Sequence, residues 1–216
     1  MIAEFYGLPG SGKTTLVEAL SSEEGRFHKS RRGSSIPKRC HIRNALTPDF
    51  LSFSLRCCRL AAAKRDKWRP DWSAVRSMME VYLIYMWERS AGDGGYCCFD
   101  HGIVQSCLSI VWTQYDLAPR ARALVAWFLK RMQGTVVLVY TKNEDILEVY
   151  NRIVRRGERR RIQERLDPAR AMELLQFQAD FFDWVYDTAR PLGMSVMTDT
   201  RTPPEVSRDR LKQEMP

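Results

Sequence analysis

One stretch constrains this chain more than any other. Gly7-Leu8-Pro9-Gly10-Ser11-Gly12-Lys13-Thr14 fits G-x-x-x-x-G-K-[ST] at every position. The pattern carries weight only between a strand and a helix, and both neighbours suit. The apolar run "IAEFY" precedes it as a short buried strand, and "KTTLVEALSS" follows, with Leu16, Val17 and Leu20 on one helical face. A loop that wraps a phosphate turns its backbone N–H groups inward, and glycines permit the φ values and the close approach this needs. A helix beginning near Lys13 adds the positive end of its dipole. Gly7, Pro9, Gly10, Ser11, Gly12, Lys13, Thr14 and Thr15 are therefore expected to hold ATP. Lys13 would meet the β and γ phosphates, Thr14 would offer its hydroxyl to Mg²⁺, and Thr15 would approach the α-phosphate.

The rest of the chain alternates helices with short apolar runs. Residues 23–43 are basic and rich in Gly and Ser, and read as a loop with at most one short strand. Two helices follow, one with a Thr47 cap and Pro48 at its first position, the other with an Asp71 cap. A strand is expected from about residue 96 to Asp100, ended by His101-Gly102. After two further helices, "TVVLVYT" is the clearest strand, β-branched and uncharged. The next helix is expected to be capped by Asn143 and stopped by Gly157, and the long one after it to be stopped by Pro191 and Gly193. "MSVMTD" and "PPEVSRDRLKQ" supply a last strand and a last helix. This alternation predicts a parallel sheet of about five strands covered on both faces, a three-layer α/β/α arrangement. No repeat or linker divides residues 1–216, so one domain is expected, with residues 44–93 as a substrate-binding helical region.

Composition narrows the class of protein. With 44% hydrophobic residues, the 216-residue chain can bury a core and is not a disordered sequence. Its 34 Lys and Arg against 26 Asp and Glu favour anionic partners without choosing among them. The cysteines, Cys40, Cys57, Cys58, Cys97, Cys98 and Cys107, form no C-x-x-C pair and have no zinc-ligand spacing with a His, so they read as free thiols in a reducing compartment. No signal peptide or uncharged span of membrane length is visible, so a soluble cytoplasmic protein is expected.

Two further groups of residues point to chemistry. Asp100 ends an apolar strand, and parallel sheets bind ligands at the carboxyl ends of their strands. A carboxylate there can hold Mg²⁺ or take a proton from an acceptor hydroxyl, and it can equally cap the following helix. His101 and Gln105 follow on the same turn and helix, where polar groups would orient an acceptor. The run "NRIVRRGERRRIQER" holds seven arginines, among them Arg152 and Arg156, which share a helix face. Charge runs are commonly solvated, but an arginine over a γ-phosphate stabilises the transition state of phosphoryl transfer.

Together "FYGLPGSGKTTL", "CCFDHG", "VVLVYTKNEDILEVYNRIVRRG" and "MSVMTDTRTPPEV" resemble the nucleoside and nucleotide kinase branch of the P-loop NTPases, the thymidylate kinase-like proteins in particular. The resemblance implies that Arg152, Arg156 and Gly157 lead into an arginine-rich lid, here residues 155–167, that closes over ATP. It also implies that the loop from Asp199 to Pro203, with Arg201, lies near the adenine. Thymidylate kinases carry Asp-Arg-Tyr where this chain has Asp100-His101-Gly102, and the missing arginine, which would have met the acceptor's phosphate, counts against a nucleoside monophosphate acceptor.

The expected activity is transfer of the γ-phosphoryl group of Mg-ATP to a small-molecule acceptor. Lys13, Asp100, Arg152 and Arg156 are its candidate catalytic residues, and Thr14 and Asp100 its metal ligands. Nucleosides, nucleotides, sugars and other hydroxyl compounds all remain open as acceptors. One alternative is a P-loop ATPase acting as a nucleotide-dependent regulatory or binding protein. The other, a nucleic-acid-binding protein, lacks a recognition module, because the aromatics Tyr82, Tyr85, Phe177, Phe181 and Phe182 recur at core-like helical spacing. Neither nucleic acid nor membrane is an expected partner, while the apolar helices offer surface for a homodimer.

Overall fold

Five short strands form one parallel sheet in the computed structural model. They are β1 (Ile2–Tyr6), β2 (Phe27–Lys29), β3 (Tyr96–Phe99), β4 (Val136–Lys142) and β5 (Ser195–Asp199), in the order β2-β3-β1-β4-β5. The structure describes residues 1–22, 26–30, 38–63, 72–91, 95–111, 115–143, 145–156, 166–199 and 201–215. β1 is central: Glu4 pairs with Phe99 on one side and Leu138 on the other. The carboxyl end of β1 therefore lies between the ends of β3 and β4, where the Gly7–Thr14 loop begins.

The strand pleat sends alternate residues into two cores. Ala3 and Phe5 of β1 face a smaller core with Leu16, Val17 and Leu20 of α1 (Lys13–Ser21) and Leu211 of α9 (Pro204–Glu214). Ile2 and Tyr6 face the larger core on the opposite side. That side is covered by α3 (Pro48–Ala62), α4 (Trp72–Ala91), α5 (Ile103–Val111), α6 (Ala118–Met132), α7 (Ile146–Arg156) and α8 (Pro168–Ala189). Three layers result, as expected, because a sheet apolar on both faces must be covered on both.

Most helix boundaries follow local chemistry. The Thr47 hydroxyl accepts the amide of Phe50 and caps α3, with Pro48 at the first position. Asp167 caps α8 in the same way, and Gly193 ends the short 3₁₀ turn after it with φ 68°. Three expectations need correction. Residues 23–43 are not all loop, since α2 (Lys38–Ala45) lies against α3 and α4. The cap of α7 is Asp145, whose carboxylate accepts the amide of Glu148, while Asn143 accepts the amide of Asp145. β3 closes at Phe99, which leaves Asp100 on the turn beyond it. The proposed Asp71 cap and Gly157 stop lie outside the described residues.

Candidate active site

The Gly7–Thr14 loop joins β1 to α1, and packing accounts for much of its composition. A Cβ on Gly7 would stand 2.5 Å from both the carbonyl and the hydroxyl oxygen of Thr141, so the loop leaves β1 in direct contact with β4. Gly10 and Gly12 hold φ values of 82° and 79°, which L side chains rarely adopt, and Gly12 is the N-cap of α1. Ser11 is buried and fixes the loop from below. Thr141 donates its hydroxyl to the Tyr6 carbonyl at 3.0 Å, so the Ser11 hydroxyl, 2.7 Å away, donates to Thr141. Thr141 is a loop support that the sequence did not single out.

Lys13 folds back over this loop. Its ammonium donates to the carbonyls of Gly7 at 2.9 Å and Leu8 at 2.7 Å, and to the Ser11 hydroxyl at 3.2 Å. A cation is thus held at the mouth of the loop, beside the first turn of α1. Thr14 and Thr15 are exposed on that turn.

Asp100 reaches the same place from a distant part of the chain. The Thr14 hydroxyl lies 3.4 Å from an Asp100 carboxylate oxygen, across 86 residues of sequence. Asp100 does not carry the capping of α5, because a different carboxyl group does.

That group is Glu4, a charged residue at the centre of β1 with no exposed surface. One of its oxygens accepts the amide of Val104 at 2.7 Å, and the other accepts the Tyr85 hydroxyl at 2.8 Å. The amides of Ile103 and Gln105 also favour its anion. The first turn of α5 is therefore capped from the neighbouring strand. Burial outweighs these donors and raises the Glu4 carboxyl from its ordinary 4.5 to about 7. A Cβ on Gly102 would stand 2.2 Å from the Glu4 carboxyl carbon, so Glu4 explains the glycine in Asp100-His101-Gly102. Sequence reading passed over Glu4, although a lone acid inside "IAEFY" was its signal: an unpaired charge is seldom placed in a buried strand.

No protein-family model matches the sequence, and no curated protein does. Among solved structures, deoxyadenosine kinase from M. mycoides with bound dATP superimposes with a TM-score of 0.54 at 12% identity, over 100% of this chain and 99% of that one. The same enzyme with bound dCTP gives 0.51 at 12% identity, over 100% and 98%. The chain shares the fold of these structures.

Within this fold the predicted residues divide into two sets. Gly7, Ser11, Gly12, Lys13, Thr14 and Asp100 come together around one loop. Arg152 forms a short ion pair with Glu148 one turn earlier on α7, and no described contact links it to Lys13 or Asp100. Arg156 is the last residue of α7; its side chain, like residues 157–165 of the expected lid, lies outside the described residues. Arg201 sits on the turn after β5, where its amide donates to the Asp199 carboxylate at 2.8 Å. The Gln105 carboxamide oxygen is buried without a hydrogen-bond partner among the described residues. No helix among them is long and apolar enough to cross a membrane.

Proposed function

We propose that this chain is a kinase that transfers the γ-phosphoryl group of Mg-ATP to a hydroxyl of a small molecule, with nucleosides as the first acceptor class. The observation that carries the proposal is the meeting of Thr14 and Asp100 beside the Lys13 loop. Two oxygens at adjacent positions on an octahedral magnesium ion are about 3 Å apart. The 3.4 Å between the Thr14 hydroxyl and the Asp100 carboxylate is close to that separation, so these residues fit the ion. When bound there, Mg²⁺ would draw charge from the phosphate oxygens.

The chain's own groups then have separate tasks. The loop amides and the dipole of α1 hold the phosphates. Lys13 would exchange its loop acceptors for the β and γ phosphates and neutralise charge as the bond between the β–γ bridging oxygen and the γ-phosphorus breaks. The acceptor hydroxyl oxygen forms the new O–P bond, its proton passes to solvent, and ADP leaves. Little covalent work falls to the protein in such a step, so positioning and electrostatics dominate. Residues 155–167 are assigned to a lid and 44–93 to acceptor binding within one domain, Arg152 and Arg156 to the moving phosphoryl group, and Arg201 to the nucleotide base.

The nucleoside reading has three supports. Two solved structures that share the fold are of a deoxyadenosine kinase. By the resemblance to thymidylate kinases, His101 replaces an arginine that would meet an acceptor's phosphate. Gln105, five residues beyond Asp100, offers a buried carboxamide oxygen without a partner among the described residues, suited to a hydrogen-bond donor on the acceptor. ADP release measured with and without nucleosides, nucleoside monophosphates and sugars tests the proposal. Release that depends on a nucleoside is expected. Equal release with no acceptor would mean a nucleotide-dependent regulatory ATPase instead.

A further inference from the structure

At the edge of the sheet, three side chains able to ligate metals converge from three elements. His28 comes from β2, Cys97 from β3 and Glu88 from the last turns of α4, and their ligand atoms all lie within 4.8 Å of one another. The register brings this about. His28 and Cys97 are partners in neighbouring parallel strands, so their side chains leave the same face. α4 covers that face. It sends Tyr85 to Glu4 and, three residues later on the same helix face, Glu88 to the sheet edge. The His28 imidazole Nε2 and a Glu88 carboxylate oxygen are 4.0 Å apart. Cys97 is buried, the Glu88 side chain is 14% exposed and that of His28 49%.

One thiolate, one carboxylate and one neutral imidazole would balance the charge of a divalent cation held among them. The donor set also selects the ion. Sulfur and imidazole ligands favour zinc and its neighbours over magnesium or calcium, which prefer oxygen.

We propose that His28, Glu88 and Cys97 form a binding site for a divalent transition metal of the zinc(II) class. Zinc bonds of about 2.0–2.3 Å place tetrahedral ligand atoms roughly 3–4 Å apart, so the observed separations need a contraction of at most about 1–2 Å. The half-exposed His28 ring is free to provide it. Three protein ligands leave a fourth position for water. On binding, the Cys97 S–H bond breaks, a sulfur–metal bond forms and one proton passes to solvent, while His28 contributes a lone pair and Glu88 its charge. Nothing is oxidised or reduced. The site is separate from the phosphate loop: Cys97 pairs with Ile2, near the opposite end of β1 from Gly7. Its effect is to clamp the three-residue edge strand β2 to α4, the helix that also holds Glu4 through Tyr85.

The test uses the full chain, reduced, stripped with a chelator and free of magnesium, titrated with Co²⁺ and then Zn²⁺. One equivalent of Co²⁺ should produce a thiolate-to-cobalt charge-transfer absorption, and Zn²⁺ should abolish it. Cys97→Ser should remove the band. His28→Ala, at a half-exposed position where folding is preserved, should weaken cobalt binding by about tenfold or more. Should Cys97→Ser fail to fold, His28→Ala decides. Absence of the band in the natural sequence, or an unchanged band and affinity in His28→Ala, overturns the proposal.

Discussion

The Thr14 hydroxyl and the Asp100 carboxylate, 86 residues apart in sequence, lie 3.4 Å from each other at the mouth of the Gly7–Thr14 loop. The pairing follows from strand order. β1 and β3 are neighbours, so the turn after each opens on the same edge of the sheet. With Glu4 capping α5, the Asp100 carboxylate is left to face Thr14.

Asp100→Asn should leave the fold intact and lower turnover by about a hundredfold or more, because the amide ligates magnesium weakly. Thr14→Val should act in the same direction, and Thr14→Ser should retain most activity. Steady-state rates across a magnesium titration check this. A rate in Asp100→Asn equal to that of the natural sequence would remove the carboxylate from the site.

Glu4 gives stability a pH dependence of definite sign. Its carboxyl titrates near 7 when folded, against an ordinary 4.5, so between these values the folded chain holds a proton that the unfolded chain has lost. The stability this group contributes is fully present below about 4.5 and is lost as pH rises toward 7, a change of roughly 3 kcal/mol. Glu4→Gln keeps the shape and removes the titration. The difference in unfolding free energy between the two proteins, measured in denaturant at successive pH values, should change by about that amount across the window. Tyr85→Phe removes a donor that favours the anion, so it should move the transition to higher pH. Parallel stability curves for the natural protein and Glu4→Gln would contradict this account.

The hydroxyl chain from Ser11 through Thr141 to Tyr6 anchors the Gly7–Thr14 loop to β4. Ser11→Ala and Thr141→Val should each cost about 1–2 kcal/mol of stability. Combined, they should cost less than the sum, because one hydrogen bond is lost in both. A double-mutant cycle reads the coupling, and strict additivity would show that the two hydroxyls act independently.

Arg152 separates a lid role from a surface role. As a surface ion pair with Glu148, it contributes only about 0.3–0.5 kcal/mol to stability. If it swings to the phosphates during turnover, Arg152→Ala should lower kcat by about tenfold or more while Glu148→Ala, which frees the arginine, should not. Equal small effects of both substitutions on stability alone would confine Arg152 to the helix surface.

The legible parts of this chain were those fixed by local chemistry. The glycine loop, the uncharged "TVVLVYT" strand and the Thr47-Pro48 helix start each follow from a few adjacent residues, and the structure has all three. α2 was not legible. Its sequence "KRCHIRNA" is strongly polar, and its packing against α3 and α4 decides its conformation where propensity does not. Asn143 and Asp145 compete for the same cap, and only the geometry of the turn selects Asp145. Glu4 needed three distant partners, Tyr85, Gly102 and Val104, before its place in a buried strand made physical sense. Asp100 was visible as a strand-end acid, but its choice of Thr14 over the α5 cap rests on Glu4.

The central claim is phosphoryl transfer, and its most direct test follows the phosphate itself. ATP labelled at the γ-phosphate is incubated with magnesium, the chain and each of the four deoxynucleosides, and the label is tracked into products. The account predicts label in a nucleoside monophosphate, formed in step with ADP and abolished in Lys13→Ala. Label found only in inorganic phosphate, at a rate no acceptor changes, would contradict it.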